Sequence, residues 1–266
     1  MAHHQQPGNA APALPDLFAI ERESAGDFPF YNGRPVSLSG VQWLALLIGT
    51  AAGFAVLIAP IGILRTVAGG LLPVLLFFGI PLATLAMVAG AAWTSLFRKP
   101  VMADLLWMVG IAVANLIVSV AVVLAIRSIF EMNANPVGGI IGESSGVGLV
   151  VFYARTIPQL FGEEVVSVLP FLAILWFCHS KLAMTRKSAV VVAWLGAALT
   201  FGALHLPTYG WNFVQCFLVI GTARIVLLAG YIVTKNIWVS TGAHIINDWV
   251  MFTVIALAIS PDAGTA

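Results

Sequence analysis

From residue 41 onward the chain is a succession of apolar runs of about 20 residues, separated by short joints rich in glycine or polar groups. Wound as a helix at ~1.5 Å per residue, such a run spans the roughly 30 Å of a bilayer's hydrocarbon. A helix satisfies its backbone N–H and C=O groups internally, so lipid admits it and excludes an open strand. Seven runs are present, at approximately 41–64, 68–93, 101–126, 157–178, 188–205, 213–234 and 237–259. The expected fold is all-α, a polytopic transmembrane helix bundle of seven spans. Between the third and fourth runs, the Asn-Pro step and glycines of 127–159 read as a loop, but "GVGLVVFYA" within it is apolar enough for a short re-entrant or interfacial helix, which would make eight.

Composition agrees with a bilayer as solvent: 60% of residues are apolar and 9% charged, with a mean hydropathy of +1.00. A net charge of +1 and no basic run longer than Arg186-Lys187 exclude nucleic acid as a partner. Cys178 and Cys216 lie in or beside apolar runs and read as small apolar residues. Residues 1–36 read as a polar N-terminal tail without an apolar h-region, hence without a cleavable signal peptide. In that tail His3 and His4 read as ordinary residues, and Phe28, Phe30 and Tyr31 suit the headgroup level of a membrane. Residues 37–266 then form the bundle. With the N-terminus inside, Arg22, Arg34, Arg98, Lys99, Lys181, Arg186, Lys187 and Lys235 are cytoplasmic, against Arg65, Arg127 and Arg155 outside. The positive-inside rule therefore favours that orientation.

The stretch "QLFGEEVVSVLPFLAILWF" places two adjacent glutamates, Glu163 and Glu164, in a segment otherwise fit for lipid. A charge at the bilayer centre costs at least ~2.5 kcal/mol, so such residues face a bundle interior or a hydrated cavity and pair there. Apart from Asp104, the ionisable groups well within or at the rim of the runs are Glu163, Glu164, His205, Arg224, His244 and Asp248, and all fall in the C-terminal four. The first three runs carry almost nothing polar apart from Asp104, at a helix start where a carboxylate suits the dipole, and Asn115. The contrast predicts scaffold helices over 41–126 and catalytic helices over 157–259. His244 and Asp248 stand at i and i+4 on one face, with Asn247 beside them. Pro207 and Gly210 break the chain just after His205, and antiparallel packing brings Glu163 to a comparable depth. One shared cavity is the least costly arrangement for these groups.

The segments "GEEVVSVLP", "FGALH" and "HIIND" resemble, in order and spacing, the motifs of the CAAX protease and bacteriocin-processing (Abi) family of intramembrane proteases. That family's usual pattern is Glu-Glu-x-x-x-Arg, then Phe-x-x-x-His, then His-x-x-x-Asn or Asp. The resemblance covers roughly residues 155–255. It implies an intramembrane endopeptidase in which Glu163 is general base, its affinity for a proton raised by burial and by Glu164. It also implies that His205 positions the water and that His244 and Asp248 wall the tetrahedral intermediate. Asp248 donates a hydrogen bond only when protonated, which predicts a lower pH optimum than asparagine would give. The family's arginine falls on Val168, and Arg224, in mid-span, is a candidate to supply the cation from another helix. Asn247 and Arg224 are candidate substrate-binding residues. No metal ligand is assigned; Glu164, His205 and His244 form a His₂Glu set compatible with zinc, so a divalent metal mechanism stands beside a metal-free one. The implied substrate is a membrane-embedded or lipidated peptide or protein tail, and the short loops and lack of organelle-targeting features favour a bacterial plasma membrane as the location. Two other functions fit the composition: a catalytically degenerate member acting as a regulatory or immunity partner, and a proton-coupled transporter.

Overall fold

The computed structural model describes residues 16–60, 62, 70–144 and 146–259. Its principal helices are α1 (Gly40–Ile58), α2 (Leu71–Ala89), α3 (Met102–Ile126), the short α4 (Val137–Gly142), α5 (Val147–Trp176), α6 (Arg186–Leu204), α7 (Gly221–Thr234) and α8 (Ile237–Ile259). A 3₁₀ extension, Gly90–Leu96, follows α2, and π-helical turns at Phe177–Lys181 and Gln215–Ile220 extend α5 and precede α7. Seven of these segments are long and apolar enough to cross a membrane, the number read from the sequence. Residues 147–154 add no eighth span; they are the first turns of α5, which begins ten residues before the expected boundary. Glycine and serine before Val147 read as loop, yet the apolar stretch after them simply continues the helix. His3, His4 and Arg65 lie outside the described residues.

Local chemistry sets the helix starts. Ser39 and Gln42 form a reciprocal capping box at α1. The Thr185 hydroxyl accepts from the Ser188 N–H at 3.3 Å to start α6. Asp104 accepts the Val101 N–H at 3.0 Å in the first turn of α3, the position anticipated for it. The helix pairs α1/α2, α5/α6 and α3/α8 pack most extensively, with α2 against α5 and α3 also against α7. The helices expected to be scaffold thus bracket the C-terminal four from two sides. Gly162, immediately before the glutamate doublet, has the Phe77 ring of α2 where a Cβ would stand. A Cβ on Gly202 would meet the Cys216 carbonyl oxygen at 2.6 Å, so the glycine of "FGALH" is what lets α6 and the turn before α7 approach.

The expectation of Phe28, Phe30 and Tyr31 at headgroup level is corrected. They are at most 3% exposed and belong to the main hydrophobic core. Residues 16–39 form a strap across the end of the bundle where α3, α6 and α8 begin. Phe28 packs on Phe171 of α5 and Tyr231 of α7, with ring centroids 5.2 and 5.9 Å away. The fully buried Glu21 carboxylate accepts from Arg186 at 2.8 and 2.6 Å and from Lys235. Asp27 accepts from Arg186 and, at 2.6 Å, from Tyr31, and Arg22 pairs with Asp104 at 2.6 Å. Four of the cations that set the expected orientation, Arg22, Arg186, Lys187 and Lys235, are thus matched by acids, three of them on the strap.

Candidate active site

Adjacent positions on a helix point about 100° apart, and the glutamate doublet of α5 uses that divergence. Glu164 turns into the bundle and is completely buried; Glu163 turns toward α8, its side chain 15% exposed. Arg224, also completely buried, forms an ion pair with Glu164 from α7. Its guanidinium lies 3.6 Å from the centroid of the Phe201 ring of α6, which places a cation on an aromatic face. Two buried charges are stable only with close pairing and further hydrogen bonds. His244 of α8 supplies one, its Nδ1–H donating to Glu164 Oε1 at 2.8 Å.

Arg224 Nη2 also lies 3.4 Å from His244 Nδ1, but the shorter contact to a carboxylate oxygen assigns Nδ1 as the donor. With Nδ1 as donor, a neutral His244 ring carries its lone pair on Nε2. Nε2 lies 3.8 Å from Glu163 Oε2 and 3.7 Å from Asp248 Oδ1. Glu163 Oε1 is 3.4 Å from Gln159 Nε2. Asn247 donates to Asp248 Oδ1 at 2.9 Å and itself accepts from Asn115 of α3 at 3.0 Å. The structure therefore gathers Glu163, Glu164, Arg224, His244, Asn247 and Asp248 around one point, with contributions from α5, α7 and α8.

His205 stands one ring away. Its Nδ1–H donates to the Phe201 carbonyl at 2.9 Å, so a neutral ring presents Nε2 as acceptor. Among the described residues no hydrogen bond or ion pair joins it to the glutamates or to His244. The link is through Phe201, whose ring is 4.5 Å from His205 and 6.5 Å from His244. Phe201 was absent from the expected site residues, although its i, i+4 spacing to His205 was visible in the motif. Tyr209, a further four residues on, was also missed. It stacks near His205 at 6.4 Å and its carbonyl accepts from Asn133 at 2.6 Å. Burial, then the charges of Asp248 and, more weakly, Glu163, push its phenol up to about 12, so it is a neutral donor at neutral pH.

The His₂Glu set does not fit a divalent cation. Glu164 is already neutralised by a guanidinium, and the Phe201 ring stands between His205 and His244. Among the described residues no three His, Cys, Asp or Glu side chains converge as ligands. Position 168, where the motif expects arginine, holds a fully buried Val168 in the main apolar core. Away from the Glu163 face of α5, Phe78, Met108, Ile157, Phe161, Trp238 and Ile245 line an apolar groove of about 440 Å³.

Residues 144–250 match the family model described as Type II CAAX prenyl endopeptidase Rce1-like. No curated protein and no solved structure matches the chain.

Proposed function

Starting from residues 144–250 as an Rce1-like domain of the CAAX protease family, we propose that the chain is an intramembrane endopeptidase that hydrolyses peptide bonds in membrane-associated protein or peptide tails. The observation that carries the proposal is the division of labour within the doublet. Glu164 is locked by Arg224 and His244, whereas Glu163 keeps a partly exposed carboxylate 3.8 Å from an imidazole nitrogen.

Glu163 takes a proton from a water as that water's oxygen attacks the scissile carbonyl. The tetrahedral oxyanion is met by donors on the facing wall: His244 when protonated on Nε2, Asp248 when protonated, and the Tyr209 phenol. His205 Nε2 accepts the water's second hydrogen and so orients it. Collapse breaks the C–N bond, and the proton held by Glu163 passes to the leaving amine. Hydroxyl ends on the new carboxyl group and hydrogen on the new amine. Glu164 acts through His244, fixing its tautomer as a buried carboxylate does in other hydrolytic dyads. Arg224 is a positioning cation in place of the arginine replaced by Val168.

The apolar groove beside the α5/α8 seam suits a hydrocarbon chain and supports a prenylated or otherwise lipidated substrate. The short joints between the spans favour a bacterial plasma membrane as the location. The test is cleavage of lipidated and unlipidated tail peptides by the protein reconstituted in vesicles, with Glu163→Gln alongside. Cleavage by wild type and none by the variant is expected. Equal biological effect of both, without cleavage, would identify a degenerate regulatory partner, and proton-coupled solute uptake would identify a transporter.

A further inference from the structure

Among the described residues, one side-chain hydrogen bond links the flanking helices to the candidate active site, and the mechanism above leaves it unused. Asn115, at mid-length in α3 and 1% exposed, donates through Nδ2 to Asn247 Oδ1 at 3.0 Å. Asn247 donates through its own Nδ2 to Asp248 Oδ1 at 2.9 Å. Asn115 Oδ1 is buried and accepts no hydrogen bond among the described residues. An orphaned acceptor in an apolar span is a standing stability loss, and leucine at that position would remove it. Packing alone therefore gives no reason for an amide at 115.

An amide presents an acceptor at one end and donors at the other, and Asn247 has both ends engaged. Held at one end by the Asn115 N–H, the Asn247 side chain is kept in place with its own N–H against Asp248. We propose that Asn115 is a positioning residue for the reaction: it holds the Asn247 amide against Asp248 Oδ1 and leaves Oδ2 to carry the proton that Asp248 donates. The proposal rests on the proteolytic reading for its consequence and on the hydrogen-bond chain alone for its geometry. The titratable and charged groups that face Asp248 are His244 on its own helix, Glu163 on α5, Arg224 on α7 and Tyr209 in the loop after α6. The α3 side contributes only the neutral amide of Asn115.

The experiment is a double-mutant cycle on the reconstituted full chain with a tail peptide that wild type cleaves, joined to amide NMR of protein labelled with ¹⁵N-asparagine. Asn115→Leu should lower kcat by about 10- to 100-fold, the range for loss of an outer-shell orienting partner, with KM unchanged. In an Asp248→Asn background the same change should cost less than about threefold, because residue 248 then brings its own donor. The Asn247 side-chain N–H pair should exchange slowly in wild type and quickly in Asn115→Leu. Equal kcat losses in both backgrounds, or a KM effect alone, would overturn the positioning role. Should Asn115→Leu fail to fold, Asn115→Asp replaces it: a carboxylate there reverses the amide, so activity lost at neutral pH should return on acidification, and a flat loss would overturn the proposal. A protected Asn247 amide in a wild type that shows no Glu163-dependent cleavage would sink the proteolytic reading and leave the chain geometry standing.

Discussion

Two buried glutamates, Glu21 under the strap and Glu164 in mid-bundle, solve the same physical problem with opposite degrees of completeness. Each is paired with an arginine from another helix, and each arginine lies by an aromatic ring, Phe28 at 5.2 Å from Arg186 and Phe201 at 3.6 Å from Arg224. At Glu21 both oxygens are bonded, Lys235 adds a second cation, and Asp27 takes up the rest of Arg186. At Glu164 the Oε2 oxygen, like Arg224 Nε, makes no hydrogen bond among the described residues, and the neighbouring carboxylate of Glu163 is partly exposed. A saturated network holds a fold closed. An unsaturated one beside a partly exposed acid retains capacity for a reacting molecule, which distinguishes a clamp from a site.

The largest test of that contrast is Glu163→Gln. Peptide cleavage should fall by roughly 10²–10⁴-fold, the usual contribution of a general base, while thermal melting in detergent stays at the wild-type value. Unchanged cleavage would move the chemistry to another group. Arg224→Leu comes next, since it strands the buried Glu164 charge. A destabilisation of ~3–5 kcal/mol is expected, read by denaturant titration, together with loss of cleavage. Adding Val168→Arg should restore part of both, because position 168 lies one turn from Glu164 on the same face. If it restores neither, Arg224 is not a substitute for the motif's arginine.

Glu21→Gln should act on stability alone. It removes the charge under Arg186 and Lys235, so ~1.5–3 kcal/mol should be lost with kcat preserved. Burial opposes ionisation of Glu21, but the bonds from Arg186 and Lys235 outweigh it and hold the carboxyl below its ordinary range. Its contribution is therefore complete above that range and is lost as pH falls through the still lower folded-state value. Melting followed against pH should show this acid limb in wild type and a shallower one in Glu21→Gln. A fall in kcat with intact stability would erase the distinction between clamp and site. The smallest effect is reserved for Asp248→Asn: a few-fold change at neutral pH with loss of the acidic preference in the rate profile, because asparagine donates without a proton from solvent.

Sequence reading reached the parts of the molecule governed by short-range periodicity. Seven apolar runs became seven spans, and the 244/247/248 face appeared because i, i+3 and i+4 are neighbours on any helix. The strap was illegible for the opposite reason. Glu21 finds Arg186 and Lys235 more than 160 positions away, and nothing local marks Phe28 as an interior ring. Arg224 was suspicious only because a cation in mid-span needs an anion; which acid it meets depends on how α7 crosses α5. For His205 the motif gave the residue but not its setting beside the Phe201 ring, which lies between it and His244.

The close fit of Gly162 beneath the Phe77 ring ties the depth of the glutamate doublet to a helix outside the motif-bearing region. Any side chain at 162 would push α5 off α2 and shift the carboxylates with it, unless residue 77 shrank at the same time. Bulk at these two positions should consequently be exchanged only in compensating pairs, and a library randomising the first three spans for a new host membrane would have to keep Phe77 or edit both.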